Sequence, residues 1–304
     1  MIHIFTALIP IFSLIMIGYF FKRIKFPSYE FWPNADKLTY YILMPSLLIY
    51  KLSTASLDSL NSIDYILTAL IAIFIVLLIL VVFNNLFNSE ESSFTSIVQG
   101  GIRFNTYVFL ALADAVLGDN GIVLAAILLT FVIPFINILC ISVFALYISE
   151  NKLTFIYLLK SIVKNPLIIG CVIGGSINFI GFEFPIIIQN TIQILGQAAL
   201  PLGLLSIGFG LVLREIKSSK KDIVISSFAK FLLMPIVMYA VAKYFDLDSQ
   251  TIIVLLIFAV MPTAPSAFIL ARQLGGNIGL MSSIITVQTL MSSLFIIVVL
   301  HYFM

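Results

Sequence analysis

Charge is scarce in this chain. Its 304 residues carry 16 Lys and Arg and 14 Asp and Glu, so that 10% are charged. So few charges cannot cover the exterior of a soluble body of this length. The net charge of +2 is scattered and offers no basic face for nucleic acid. Histidine occurs twice, as His3 and His301, both near the chain ends, which leaves no imidazole for an interior catalytic or metal site. The two cysteines, Cys140 and Cys171, lie within apolar runs, so a disulfide framework is not expected and both thiols read as core filler. The apolar segments hold no Ser/His pair, aspartate pair or zinc motif of an intramembrane protease. A Walker-type phosphate loop is missing too, so ATP is not expected to act directly. These gaps argue against an enzyme: no catalytic residue, metal ligand or cofactor is assigned.

What the chain has instead is apolar length. Hydrophobic residues make up 61%, and the mean hydropathy is +1.16. A spanning helix needs ~20 mainly apolar residues. Ten stretches qualify, at 4–21, 37–53, 63–87, 95–117, 121–148, 163–180, 185–212, 221–244, 250–272 and 278–303. They are long and do not alternate, which disfavours a membrane β-barrel. The first is not read as a signal peptide, because Lys22, Arg23 and Lys25 follow it rather than precede it. With the N-terminus outside, one set of loops holds Lys22, Arg23, Lys25, Lys37, Lys152, Lys160, Lys164, Arg214, Lys217, Lys220, Lys221 and Arg272. The other holds only Lys51 and Lys243. The positive-inside rule then expects both termini outside and the 149–162 connection in the cytoplasm, in a multi-pass protein of the cell (plasma) membrane.

The two halves match at a shift of 156–158 residues. Pro10 meets Pro166, Gly18 meets Gly174, Pro45 meets Pro201, Pro27 meets Pro185, Gly118 meets Gly275 and Asn120 meets Asn277. A fixed shift should align only roughly 0.2 prolines by chance, so the period points to an internal repeat. Two five-helix units, 1–150 and 151–304, each have an odd number of crossings and must enter the membrane from opposite sides. The expected fold class is therefore an all-α integral membrane protein of ten helices in two inverted repeats, a plan used by many secondary transporters.

Segments 4 and 9, equivalent in the repeat, are interrupted near their midpoints. One reads Gln99-Gly100-Gly101-Ile102-Arg103-Phe104-Asn105-Thr106; the other reads Met261-Pro262-Thr263-Ala264-Pro265-Ser266. Pro262 and Pro265 each remove a backbone donor and clash with the preceding turn, and Gly100 and Gly101 weaken the helix before Arg103. Lipid offers no hydrogen bonds, so irregular backbone survives there only inside protein or beside a cavity. Paired breaks point to a substrate site in mid-membrane. Free N–H ends suit a carboxylate. Asn105, Thr106, Arg103, Pro262, Thr263 and Ser266 are the substrate-binding candidates, with Gly100, Gly101, Pro262 and Pro265 forming the breaks. The competing reading of Asn105 is a helix–helix hydrogen bond, and that of the hydroxyls is bonding to their own backbone.

Arg103, Asp114 and Lys230 are the charges set most clearly inside apolar segments, where they are costly and mark function. Asp114 and Lys230 are candidates for ion coupling, by H+ or Na+. Lys230 also lies within snorkelling reach of the cytoplasm. Pro45 and Pro201 should kink segments 2 and 7 and shape the cavity. Gln189, Asn190, Gln193 and Gln197 form a polar stripe on segment 7. Trp32 and the tyrosines of 29–41 read as interface anchors.

These strings resemble the auxin efflux carrier family, which includes plant auxin exporters and bacterial carriers described as malate or malonate permeases. The stretches LTYYILMPSLLIYKLS (38–53), LGQAALPLGLLSIGFGL (195–211), Arg103-Phe104-Asn105 and MPTAPSAFILARQLGG (261–276) look like the family's second, seventh, fourth and ninth helices. The resemblance implies a ten-helix inverted repeat with crossed, broken helices 4 and 9. It also implies transport of small organic anions, with Asn105 near the substrate carboxylate. Ser266 stands where bacterial members often have Asn, and the Gly and Pro that usually follow the asparagine are replaced by Phe109 to Leu112. Residues and resemblance together lead to a secondary carrier of carboxylates by alternating access. Its expected partners are a small organic anion and the lipid bilayer, with no nucleic acid; a homodimer is compatible. The alternatives are a cation/proton antiporter of related fold and a membrane sensor or binding protein without flux.

Overall fold

A computed structural model describes residues 2–55, 62–87, 89–148, 163–211 and 220–303. The 149–162 connection, Lys152, Lys160, Arg214 and Lys217, on which part of the orientation reading rests, lie outside the described residues. Helices account for the described architecture: α1 (Ile2–Ile24), α2 (Phe31–Leu38), α3 (Met44–Ser53), α4 (Ser62–Phe87), α5 (Glu91–Ile102), α6 (Thr106–Tyr147), α7 (Pro166–Phe179), α8 (Ile186–Gln197), α9 (Ala199–Gly210), α10 (Lys220–Phe228), α11 (Met234–Tyr244), α12 (Ser249–Ala259), α13 (Ser266–Leu274) and α14 (Ile278–Phe303). Among the described residues there is no strand.

Among the described residues, six stretches are long and apolar enough to cross a bilayer: Phe5–Ile24, Ile63–Asn84, Glu91–Tyr147, Ile186–Gly210, Lys220–Tyr244 and Ile278–Phe303. Pro166–Phe179 and Ser249–Ala259 are shorter apolar helices. The protein is an all-helical, multi-pass membrane protein.

Proline placement explains several helix joints. One π-helical turn, Thr39–Leu43, joins α2 to α3, and another, Ala229–Leu233, joins α10 to α11. Each is followed by a Met-Pro pair, Met44-Pro45 and Met234-Pro235. A proline cannot donate to the carbonyl four residues back, and a wide turn absorbs the mismatch. Pro201 sits in the first turn of α9, and the chain breaks its helix at Ala198, three residues before it. Within α6 the backbone kinks at Gly118, whose φ of 61° favours glycine.

The chain divides into two compact units that interleave its halves. The first comprises Met1–Leu60, Tyr107–Ile133 and Leu159–Leu211; the second comprises Asn61–Thr106, Pro134–Leu158 and Val212–Met304. In the first unit, glycines let backbones touch. A Cβ on Gly18 would fall 1.9 Å from the Leu205 carbonyl oxygen, and one on Gly208 would fall 1.8 Å from that of Ile15, which locks α1 to α9. Gly170 and Gly174 press α7 onto Pro45 and Ile49 of α3. Such small-residue contacts replace the hydrophobic drive that lipid cannot supply. Trp32, expected at the lipid interface, is instead buried: it stacks on Phe209 with centroids 4.9 Å apart, and its indole N–H donates to the Phe26 carbonyl at 3.1 Å.

In the second unit, α5 packs on α10 and α14, and α4 packs on α11. Gly100 admits the Ser226 side chain of α10, and Gly101 faces Leu80 of α4 and Ala229. Asn277 ties the start of α14 to α5, donating to the Ser93 hydroxyl at 3.0 Å and accepting from the Leu280 N–H at 3.0 Å.

Candidate functional site

Both interruptions lie in the second unit. The helix α5 has 12 residues, about 18 Å at 1.5 Å per residue, well short of a ~30 Å hydrocarbon core. It stops at Ile102, Arg103 turns extended (φ −74°, ψ 153°), and helix resumes at Thr106. The second interruption runs from Val260 to Pro265, between α12 and α13.

Each break strands backbone groups, and the two breaks satisfy one another. The Asn105 N–H donates to the Pro262 carbonyl at 2.7 Å. In a continuous helix the Gly100 carbonyl would accept from residue 104. Here the Thr263 hydroxyl and the Gln288 amide nitrogen each approach it to 3.0 Å. The Thr263 N–H donates to Gln288 Oε1 at 3.0 Å, and the Thr263 hydroxyl lies 2.7 Å from that same oxygen. The Gln288 amide also reaches Ser226 Oγ at 3.4 Å. Asn105, Thr263 and Gln288 are at most 1% exposed, so these bonds form away from water, where unmade ones are costly.

The residues singled out from sequence occupy distinct places. Gly100 and Gly101 are helical, in the last turn of α5, while Pro262 lies inside the second interruption and Pro265 ends it. Thr106 opens α6, and Ser266 opens α13 with its residue exposed. The Arg103 guanidinium donates to the Asn137 side-chain oxygen of α6 and also reaches the Cys140 thiol. Lys230, in the π turn before α11, is fully buried, and its ammonium has no hydrogen-bond partner among the described residues. Each buried cation costs about 3 kcal/mol on insertion scales. Asp114 belongs to the first unit, where it lies 3.8 Å from Lys51, which also pairs with Asp119.

Sequence reasoning passed over Gln288, Asn137 and Ser226. The available signal was modest: Gln288 and Asn137 are amides isolated in long apolar runs, and an amide there must find a partner inside protein.

A family model described as "Membrane transport protein" matches residues 3–300. A curated protein of Rhizobium meliloti (strain 1021) named "Putative malonate transporter" is 27% identical over 302 residues, covering 96% of this chain and 93% of its own. Apolar helices, helix breaks that bond to each other in the interior, and a family match over nearly the full length agree: the chain belongs to the membrane transport protein family, the auxin efflux carrier-like group, and is a membrane transporter.

Proposed function

We propose that this protein is a secondary carrier of small organic anions, either carboxylates such as malate or malonate or auxin-like acids, working by alternating access around the paired breaks. The observation that carries the reading is the junction of the breaks, with Asn105 N–H on the Pro262 carbonyl and Thr263 and Gln288 on the Gly100 carbonyl. This junction leaves Asn105 and Arg103 at the interruption of an apolar helix, where half-helix ends and an asparagine amide suit a carboxylate. The name of the Rhizobium relative is consistent with such a substrate.

The inverted repeat belongs to this proposal. Left-handed backbone recurs at its shift: Lys25 (φ 58°) pairs with Gly181 (φ 65°), and Gly118 (φ 61°) pairs with Gly275 (φ 81°). These positions end or kink helices in both halves, as two copies of one five-helix pattern require. Ten crossings, outside termini and a plasma-membrane location follow from the same plan and from the Lys/Arg bias. An antiporter would need a carboxylate near the break. Among the described residues the only carboxylate less than a tenth exposed is Asp222, which accepts from Ser89.

Uptake into proteoliposomes tests the proposal. Wild-type protein accumulates labelled malonate or malate, and Asn105→Ala lowers the rate by at least about tenfold, the loss of one charge-assisted hydrogen bond, while the protein stays folded. Wild-type-like uptake by the variant removes Asn105 from the site. Binding without flux by the wild type makes the protein a sensor.

A further inference from the structure

The first unit holds a carboxylate that the anion site does not use. Asp36 lies in α2, just ahead of the apolar run that begins at residue 37, and it accepts a hydrogen bond from the Ser206 hydroxyl of α9. Ser206 is buried, whereas Asp36 keeps an exposed edge that a proton can reach. Three residues before Ser206, and so beside it on the α9 surface, Gly203 makes room for a ring: a Cβ there would fall 3.0 Å from Tyr107. Tyr107 is the second residue of α6 and follows Asn105 by two. Asp36 and Tyr107 therefore meet neighbouring positions of α9, and Tyr107 feels the charge of Asp36 and then that of Tyr40. Asp36, Thr39 and Tyr40 share one side of α2 and the π turn that follows it, at spacings of three and four. Thr39 is 1% exposed, and its hydroxyl makes no hydrogen bond among the described residues. π turns inside helices often accompany functional sites.

Few other charges surround Asp36. Its own segment carries Glu30, Lys37 and Tyr40, and Tyr107 stands on α6. The end of α1, which reaches α2 through Phe21 on Trp32, carries Tyr19, Lys22 and Arg23, with Lys22 held by the Leu211 carbonyl. The helices α7, α8 and α9 carry no charged residue. Among the described residues Asp36 forms no ion pair, whereas Asp114 pairs with Lys51. Burial pushes the Asp36 carboxyl up, and the Ser206 bond draws it only partly back.

We propose that Asp36, framed by Ser206, Thr39 and Tyr107, is the proton-binding site of the carrier, and that the anion travels with a proton that loads and leaves there. This rests on the carrier reading and on none of its anion-site residues. The proton adds to a carboxylate oxygen and makes Asp36 neutral. The charged form only accepts hydrogen bonds, whereas the neutral form also donates, and the buried Thr39 hydroxyl one turn away is an unused acceptor. Either change reaches Tyr107, in the first turn after the break at Asn105. A membrane potential negative inside opposes entry of an anion, and a proton carried with it removes one unit of that opposition.

Two readouts test this. The first needs no substrate, because the single tryptophan, Trp32, lies four residues before Asp36 and stacks on Phe209, three residues past Ser206. Its emission in the purified full chain, in micelles, is expected to show a transition between about pH 4 and 8 that Asp36→Asn loses and Glu30→Gln keeps. Ser206→Ala, which removes a bond to the charged form, should move the midpoint up by about 1–2 pH units. The second readout is labelled malonate in proteoliposomes with the membrane potential clamped. An inward proton gradient is expected to drive accumulation by wild type. Asp36→Asn imitates the neutral carboxyl but cannot release a proton, so that accumulation is lost, and Asp36→Glu recovers it. Exchange of labelled for unlabelled malonate needs no proton release and reports that the variant still folds and binds the anion. The inference is overturned if Asp36→Asn keeps the Trp32 transition or the proton-driven accumulation, if it loses exchange as well, or if wild type ignores the proton gradient and answers to sodium alone. In each of these cases the carrier reading stands as long as wild type takes up malonate. If wild type neither takes up nor exchanges malonate or malate, the carrier reading falls, and the Trp32 titration alone decides proton binding at Asp36.

Discussion

Gln288→Leu tests the interior junction most directly. Gln288 accepts from the Thr263 N–H at 3.0 Å and donates to the Gly100 carbonyl at 3.0 Å, both inside the second unit and fully buried. Leucine keeps most of the volume and removes both bonds. The two losses are unequal. Gly100 keeps the Thr263 hydroxyl as a donor, 3.0 Å away, whereas the Thr263 N–H is left with nothing. A net bond between membrane helices is worth about 0.6 kcal/mol, at most ~1.7, and an orphaned buried donor costs about 1–3 kcal/mol. Together these give about 2 kcal/mol of destabilisation, or roughly 30-fold in an equilibrium constant. The fourth contact, to Ser226 at 3.4 Å, is long enough to leave out. Two measurements apply: reversible unfolding in mixed detergent micelles, and amide exchange of the segment spanning Thr263, in which Pro262 and Pro265 carry no amide hydrogen. The Thr263 amide should exchange roughly 30-fold faster in the variant. Thr289→Val is the control, because the Thr289 hydroxyl donates to the Ile285 carbonyl of its own helix, and a change within about 0.5 kcal/mol is expected. If Gln288→Leu unfolds like wild type and Thr263 keeps its protection, the breaks do not depend on each other as described.

Two further predictions concern stability. Gly18→Ala places a Cβ 1.9 Å from the rigid Leu205 carbonyl and should cost about 3 kcal/mol; Gly175→Ala, with nothing within 4 Å, should be neutral or gain up to about 1 kcal/mol, as melting of the two purified variants would show. At the start of α12, burial pushes the Asp248 carboxyl up, but hydrogen bonds from the Thr251 side chain and from the backbone of Thr251 and Gln250 outweigh it and hold the group below its usual value. A depressed carboxyl stabilises above its unfolded pKa and loses that effect as pH falls through its folded one. Asp248→Ala should therefore cost about 1 kcal/mol near neutrality, with the gap to wild type closing in unfolding measurements below about pH 4.

The helices were legible because lipid demands long apolar runs, and the bounds of α4 and α14 follow those runs within a residue or two, whereas the run at 221–244 divides into α10, a π turn and α11. The second break was legible in Pro262 and Pro265, since proline's missing donor acts locally. The first was legible as a place, though Gly100 and Gly101 stay helical and instead let α10 and α4 close in. Gln288 and Asn137 were not foreseen, because which amide meets a stranded carbonyl is decided by helices far apart in sequence. Trp32 was misread for a physical reason: an amphipathic ring fits a headgroup layer or an inner contact equally well, and only the packing of Phe209 decides between them. For Lys230 the sequence left snorkelling open, and its complete burial closes that route.

The interleaving of the two units bears on how the chain is made. The first unit is not complete until residue 211 has been synthesised, because α1 needs Leu205 of α9 and α3 needs the glycines of α7. The second unit waits longer, since Gly100 finds Gln288 only when α14 has emerged. Early helices must therefore sit in the membrane with their contact faces bare, holding a polar break at 103–105 that has no partner for some 160 residues of translation. A nascent chain in that condition depends on the insertion machinery or a chaperone for shelter, and a polypeptide cut between the halves could reach the native state only when both pieces are present together.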